Sequence, residues 1–111
     1  NEEIVKIFKK AGCSMFRIGI ETGNEWLRNR IIRKNITNEQ IIKAFSLAKK
    51  YKIKTAAYNI IGFPYETEKM IQETWELNKL IDPDLLIINI FQPFFFPFQL
   101  ELVIKILNIL L

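Results

Sequence analysis

Between Glu2 and Lys10 the apolar residues Ile4, Val5, Ile7 and Phe8 recur at helical spacing with lysines opposite, and Ala11-Gly12 supplies a glycine stop. The period then changes to two. From Met15 to Glu21, Phe16, Ile18 and Ile20 fall on one face of a strand and Arg17, Gly19 and Glu21 on the other. Thr22-Gly23-Asn24 breaks this strand, and a short helical stretch from Glu25 to Ile32 follows. Thr37 with Gln40 three residues later is a capping box, opening a helix that carries Ile41, Ile42, Ala44, Phe45 and Ala48. A second strand is predicted from Ile53 to Ile61, ended by Gly62-Phe63-Pro64. Thr67 caps a third helix with Met70, Ile71, Trp75 and Leu77, and Asp82-Pro83 stops it. Leu85 to Phe91 is a nearly continuous apolar run, the third strand.

Strand starts spaced by roughly 30 to 40 residues with a helix between them are βαβ units, whose right-handed crossovers make the strands parallel. The expected fold class is therefore α/β, a parallel βαβαβ portion of a sheet or barrel. Arg17 and Glu21, Asn59 and Asn89 sit in the strand bodies, where a filled barrel core would carry branched apolar side chains. An open or partial barrel with a wet inner face accounts for them. That geometry places Arg17, Glu21 and Asn59 on one concave side, with the helices on the other.

Composition narrows the picture further. The chain has 111 residues, enough for one modest core, and 16 basic against 12 acidic residues spread over helices and loops, so no nucleic-acid partner is implied. Runs such as Ile31-Ile32-Arg33-Lys34-Asn35-Ile36 read as base composition rather than as a binding patch. The single cysteine, Cys13, excludes an internal disulfide and any thiolate-built metal or cluster site within the chain. With no histidine to activate it, Cys13 reads as an inert small residue. No catalytic and no metal-ligating residue is assigned. A reducing, cytoplasmic setting is expected, and the apolar tract from Gln99 to Leu111 falls short of the roughly 20 residues of a membrane span. Asn1 reads as standing inside a helix, so the chain is expected to be an internal piece without a signal peptide.

Ligands of parallel α/β folds gather at the carboxyl ends of strands. Three segments occupy such ends here: Glu21-Thr22-Gly23, Gly62 to Thr67, and Gln92-Pro93. Taken singly, Glu21 can equally cap a helix or pair with a lysine, Asn59 and Asn89 can be satisfied by backbone, and Gly62 with Pro64 can simply make a turn.

In combination, Gly12-Cys13-Ser14-Met15-Phe16-Arg17-Ile18-Gly19-Ile20-Glu21-Thr22-Gly23 and Asn59-Ile60-Ile61-Gly62-Phe63-Pro64-Tyr65-Glu66-Thr67 resemble the radical S-adenosylmethionine (radical SAM) superfamily, in particular its cobalamin-binding-type and methylthiotransferase-like members. The resemblance covers residues 1–93, as the carboxyl-terminal half of the core domain, and leaves 94–111 as a divergent apolar tail. It implies that the three strands are the fourth, fifth and sixth of a partial TIM barrel. It also implies a site: Glu21 accepting from the SAM ribose hydroxyls, Asn59, Ile60 and Gly62 presenting backbone to the adenine, and Gln92 closing the base pocket. The implied parent carries SAM and a [4Fe–4S] cluster, admits cobalamin, and generates a 5′-deoxyadenosyl radical. This chain alone would hold none of these cofactors, and its partner would be the other half of the barrel.

The sequence departs from the pattern in four places: Tyr58 stands where the fifth-strand motif has its first glycine, Glu66 arrives one place late, no C-x-x-x-C-x-x-C is present, and Phe94-Phe95-Phe96-Pro97-Phe98, without glycine, stands where the relatives carry a P-[YF]-P-G-T-x-L-like turn. The residues alone also leave open a non-catalytic α/β interaction module, or a piece of an unrelated TIM-like barrel enzyme.

Overall fold

A computed structural model describes residues 1–91 together with Ile104, Lys105, Asn108 and Ile109. The order is α1 (Glu2–Lys10), β1 (Met15–Glu21), a π-helical turn (Leu27–Ile31), α2 (Asn38–Lys50), β2 (Lys54–Ile61), α3 (Glu68–Ile81) and β3 (Leu85–Ile90). β1 pairs with β2 and β2 with β3, all parallel, in the spatial order β1-β2-β3. Two parallel βαβ units of this kind are the expected α/β architecture.

The helix starts follow their caps. The Thr37 hydroxyl accepts from the Gln40 N–H while the Gln40 side chain accepts from the Thr37 N–H, closing the capping box. Thr67 accepts from the Met70 N–H at 3.2 Å. Asn1 does not continue α1 but caps it, accepting from the Glu3 N–H at 2.9 Å. The predicted helix at 25–32 winds mainly as a π turn, in which the Ile32 N–H reaches the Leu27 carbonyl at 3.1 Å.

All three helices lie on one face of the sheet. Ile20 of β1 and Ala57 of β2 pack with Ile41 and Phe45 of α2 and with Leu77 and Ile81 of α3. Val5 of α1 packs with Ala48, Ile53 and Phe16, and Ile61 packs with Ile71 of α3 and with Ile88, Ile90 and Ile109. The other face carries Arg17, whose Nη1 donates to the Tyr58 hydroxyl at 3.2 Å, and the exposed Asn89.

Asn59 departs from the expected geometry: it belongs to the helix face. Alternation along β2 gives Thr55, Ala57, Asn59 and Ile61 one side, and register with β1 fixes that side as the core. Asn59 is fully buried and makes a reciprocal amide pair with Asn78 of α3, Nδ2 to Oδ1 at 3.1 Å one way and 2.8 Å the other. A polar residue in a strand body is thus satisfied by a polar residue on the covering helix, so it does not mark the wet side.

Candidate functional site

Because the strands are parallel, the ends of β1, β2 and β3 form one rim. Gln92, one of the expected site residues, lies outside the described residues, as does the divergent tail except for Ile104, Lys105, Asn108 and Ile109.

Glu21 is set on this rim by an irregularity of the sheet. The β1–β2 register runs from Gly19 opposite Tyr58 directly to Glu21 opposite Asn59, so Ile20 is an extra residue. Ile20 turns fully into the core, and Glu21 takes a left-handed φ of 68°, a conformation uncommon outside glycine. The carboxylate folds back along the strand: a Cβ on Gly19 would lie 2.6 Å from Glu21 Oε1. Gly19 is on the wet face with Arg17, so the carboxylate lies on that face too. It is paired, as the simpler reading of a strand-end glutamate allows, with Lys34 Nζ at 3.1 Å, and Lys34 also donates to the Gly19 carbonyl.

The loop that delivers Lys34 is organised by Arg28, a residue whose role the sequence did not reveal. Its guanidinium is fully buried, donating to the carbonyls of Ile20 (3.1 Å), Thr22 and Ile36 (2.9 Å) and to Asn38 Oδ1 (2.7 Å). Burial lowers its pKa from the ordinary arginine value, opposed by nearby Glu25. One cation thereby ties the end of β1 to the loop before α2. Arg33 and Asn35, on either side of Lys34, are both left-handed, at φ 59° and 54°.

Gly23 locks the same rim to α3. Its N–H donates to Thr74 Oγ1 at 2.8 Å, and an added Cβ would meet the Glu73 backbone and, at 2.6 Å, Thr74 Cα. Only glycine permits this approach. Thr22 and Thr74 share a hydroxyl hydrogen bond, and Asn24 donates to Glu73.

At the end of β2, Gly62 turns the chain with φ 96°, and Glu66 reaches back to accept from the N–H groups of Gly62 (2.5 Å) and Phe63 (3.3 Å). Arriving one place late therefore does not remove this glutamate from the turn. The Gly62 N–H is committed to Glu66 and the Ile61 carbonyl to the Phe91 N–H, so neither is free for a base edge. Ile60 falls on the wet face beside Tyr58. The rings of Phe63 and Phe91 stand 5.3 Å apart, spanning the ends of β2 and β3.

Glu66 Oε2 is buried and has no partner among the described residues. Burial pushes this carboxyl above its ordinary value of 4.5, against the opposing effect of the two N–H groups. The folded state then holds the proton more tightly than the unfolded chain. The resulting stability is fully present below pH 4.5 and is lost as pH rises through the raised folded value. Melting curves across that window should show the wild type losing stability with rising pH and Glu66→Gln losing less. An unchanged slope in the variant would mean that Glu66 does not titrate there.

Comparison with known proteins identifies the family. Residues 1–77 match the family model described as the radical SAM superfamily. The chain belongs to the radical SAM superfamily. It is 34% identical over 94 residues to an uncharacterized methyltransferase of Pyrococcus horikoshii, covering 85% of this chain and 20% of that protein. It is 31% identical over 85 residues to the anaerobic magnesium-protoporphyrin IX monomethyl ester cyclase of Rubrivivax gelatinosus, covering 77% of this chain and 15% of that protein. The chain thus spans a fifth or less of the length of these relatives. Coproporphyrinogen III oxidase of Escherichia coli, described as a radical SAM enzyme, superposes with a TM-score of 0.82 over 97% of this chain and 28% of its own, at 17% identity, a likeness of fold.

The radical SAM family implies SAM and a [4Fe–4S] cluster in the complete enzyme. The residues present do not fit the cluster: the chain has one cysteine, and among the described residues no three His, Cys, Asp or Glu side chains are grouped to hold a metal. They do fit the nucleoside part of SAM, since Glu21 presents a carboxylate on the wet face at a strand end. No helix among the described residues is long and apolar enough to cross a membrane.

Proposed function

We propose that these residues form the nucleoside-binding rim of a cytoplasmic radical SAM enzyme whose cluster cysteines lie outside the 111 residues. The observation that carries this reading is the Glu21 carboxylate, lifted off the end of β1 by a bulge and laid over Gly19 on the helix-free face. A carboxylate there suits a vicinal diol, because it accepts both hydroxyl protons in charge-assisted hydrogen bonds. Asn59 contributes through α3 rather than through the ligand, while Ile60 and the Phe63–Phe91 pair offer apolar surface to a base. Gln92 is kept as the residue closing the base pocket.

In the complete enzyme SAM and the cluster would supply reductive radical chemistry, and among this chain's residues Glu21 would hold the ribose of SAM. This chain's residues bind and orient the nucleoside. The names of the relatives support that division, since proteins named as an uncharacterized methyltransferase and as a cyclase both match this segment.

The test is anaerobic iron–sulfide reconstitution followed by an assay for 5′-deoxyadenosine under a reductant. The intact protein should form a cluster and release 5′-deoxyadenosine, and the 111-residue chain should do neither. A cluster-loaded intact protein that binds no SAM, or an active 111-residue chain, would overturn the assignment.

A further inference from the structure

Resting on the reading of Glu21 as the ribose acceptor, we infer that Lys34 is its positioning residue, fixing which carboxylate oxygen meets the ligand. Lys34 Nζ holds Oε1 at 3.1 Å and is itself held by the Gly19 carbonyl. The two side chains are only 29% and 21% exposed, so the pair is screened from solvent more than a surface ion pair is. The ammonium also has little freedom to leave. Its loop is anchored at the lysine and just beyond it: the Lys34 N–H donates to the Arg28 carbonyl at 3.1 Å, Arg28 binds the Ile36 carbonyl, and Asn29 Oδ1 accepts from the Ile36 N–H at 3.0 Å. With Oε1 occupied, the remaining carboxylate oxygen is the one turned to a diol. Gly19 completes the arrangement, because a Cβ there would lie 2.6 Å from both Glu21 Oε1 and Lys34 Nζ. These are the far ends of flexible side chains, so Gly19→Ala displaces the pair and spares the backbone.

The experiment measures dissociation constants of the intact, cluster-loaded protein for SAM and for its 2′-deoxy analogue. The ratio of the constant for the 2′-deoxy analogue to that for SAM reports the aim of the carboxylate. Charge effects of losing a lysine near a sulfonium act on both ligands and cancel in it. Lys34→Met should lower the ratio roughly tenfold, the scale of one charge-assisted hydrogen bond. Lys34→Arg should restore most of it, and Gly19→Ala should lower it with an unchanged melting temperature. If Glu21→Gln leaves the ratio at its wild-type value, the ribose reading itself fails. A ratio that falls in Glu21→Gln but holds in Lys34→Met and Gly19→Ala overturns the role of Lys34 alone. Should Lys34→Met not fold, Gly19→Ala decides the question.

Discussion

Glu21→Ala is expected to weaken SAM binding by the intact protein about ten- to a hundredfold while leaving iron and sulfide content unchanged. Hydrogen bonds to a charged acceptor contribute roughly 1.5–3 kcal/mol, and each 1.4 kcal/mol is a factor of ten in affinity. The variant also leaves the Lys34 ammonium, partly buried against the Gly19 carbonyl, without its counter-charge. Strain must be separated from chemistry here, because Glu21 sits at φ 68° and alanine tolerates that conformation no better. Glu21→Gly removes the strain and the carboxylate together. Equilibrium dialysis should find it as defective as Glu21→Ala, although it melts no lower. Wild-type affinity in either variant would show that the rim carboxylate is not a ligand contact.

The largest effect on stability is expected at Arg28. Replacing it with methionine keeps most of the volume but leaves the Thr22 and Ile36 carbonyls and the Asn38 side chain without this donor in a buried to half-buried site, while the Ile20 carbonyl keeps only the Thr22 N–H. Each unsatisfied buried acceptor costs roughly 1–3 kcal/mol, so a loss of about 4 kcal/mol or more is expected even with some relaxation. In a domain this small that corresponds to a fall in melting temperature of roughly 15 °C or more. Circular dichroism melts measure it directly. A fall of only a few degrees would mean that water or a neighbouring donor replaces the guanidinium, and the loop would then not depend on it.

Fold class was the most legible property. Period-two alternation at Met15–Glu21, the Thr37/Gln40 box and the Asp82-Pro83 stop are local signals, and local physics set those boundaries. Which side of the sheet a polar residue takes is not local. Arg17 and Asn59 look alike as polar interruptions of apolar strands, yet one reaches Tyr58 on the wet face and the other meets Asn78 beneath α3. The difference lies in a residue 19 positions later on another element. Lys34 was hidden for a similar reason, in a stretch of isoleucine, lysine and asparagine whose composition had a simpler cause. Its role depends on two left-handed neighbours and a buried arginine, none of which leaves a periodic trace. Glu66 was visible as a displaced motif residue, and the turn at Gly62 absorbs the displacement.

The amide pair between Asn59 and Asn78 also limits how α3 can slide. A helix held by isoleucine and leucine alone can shift by a turn along a sheet at modest cost, since one apolar contact replaces another. Here a shift of one turn, about 5.4 Å, would part the two amides and strand both in the core, costing roughly 1–3 kcal/mol for each group left unpaired. The same movement would withdraw Thr74 from Thr22 and from the Gly23 N–H, so the ratchet has its second tooth at the rim. Competing placements of α3 are therefore penalised twice, once beneath β2 and once beside Glu21. The polar residues beneath the sheet thus act as a vernier that sets the position of the rim.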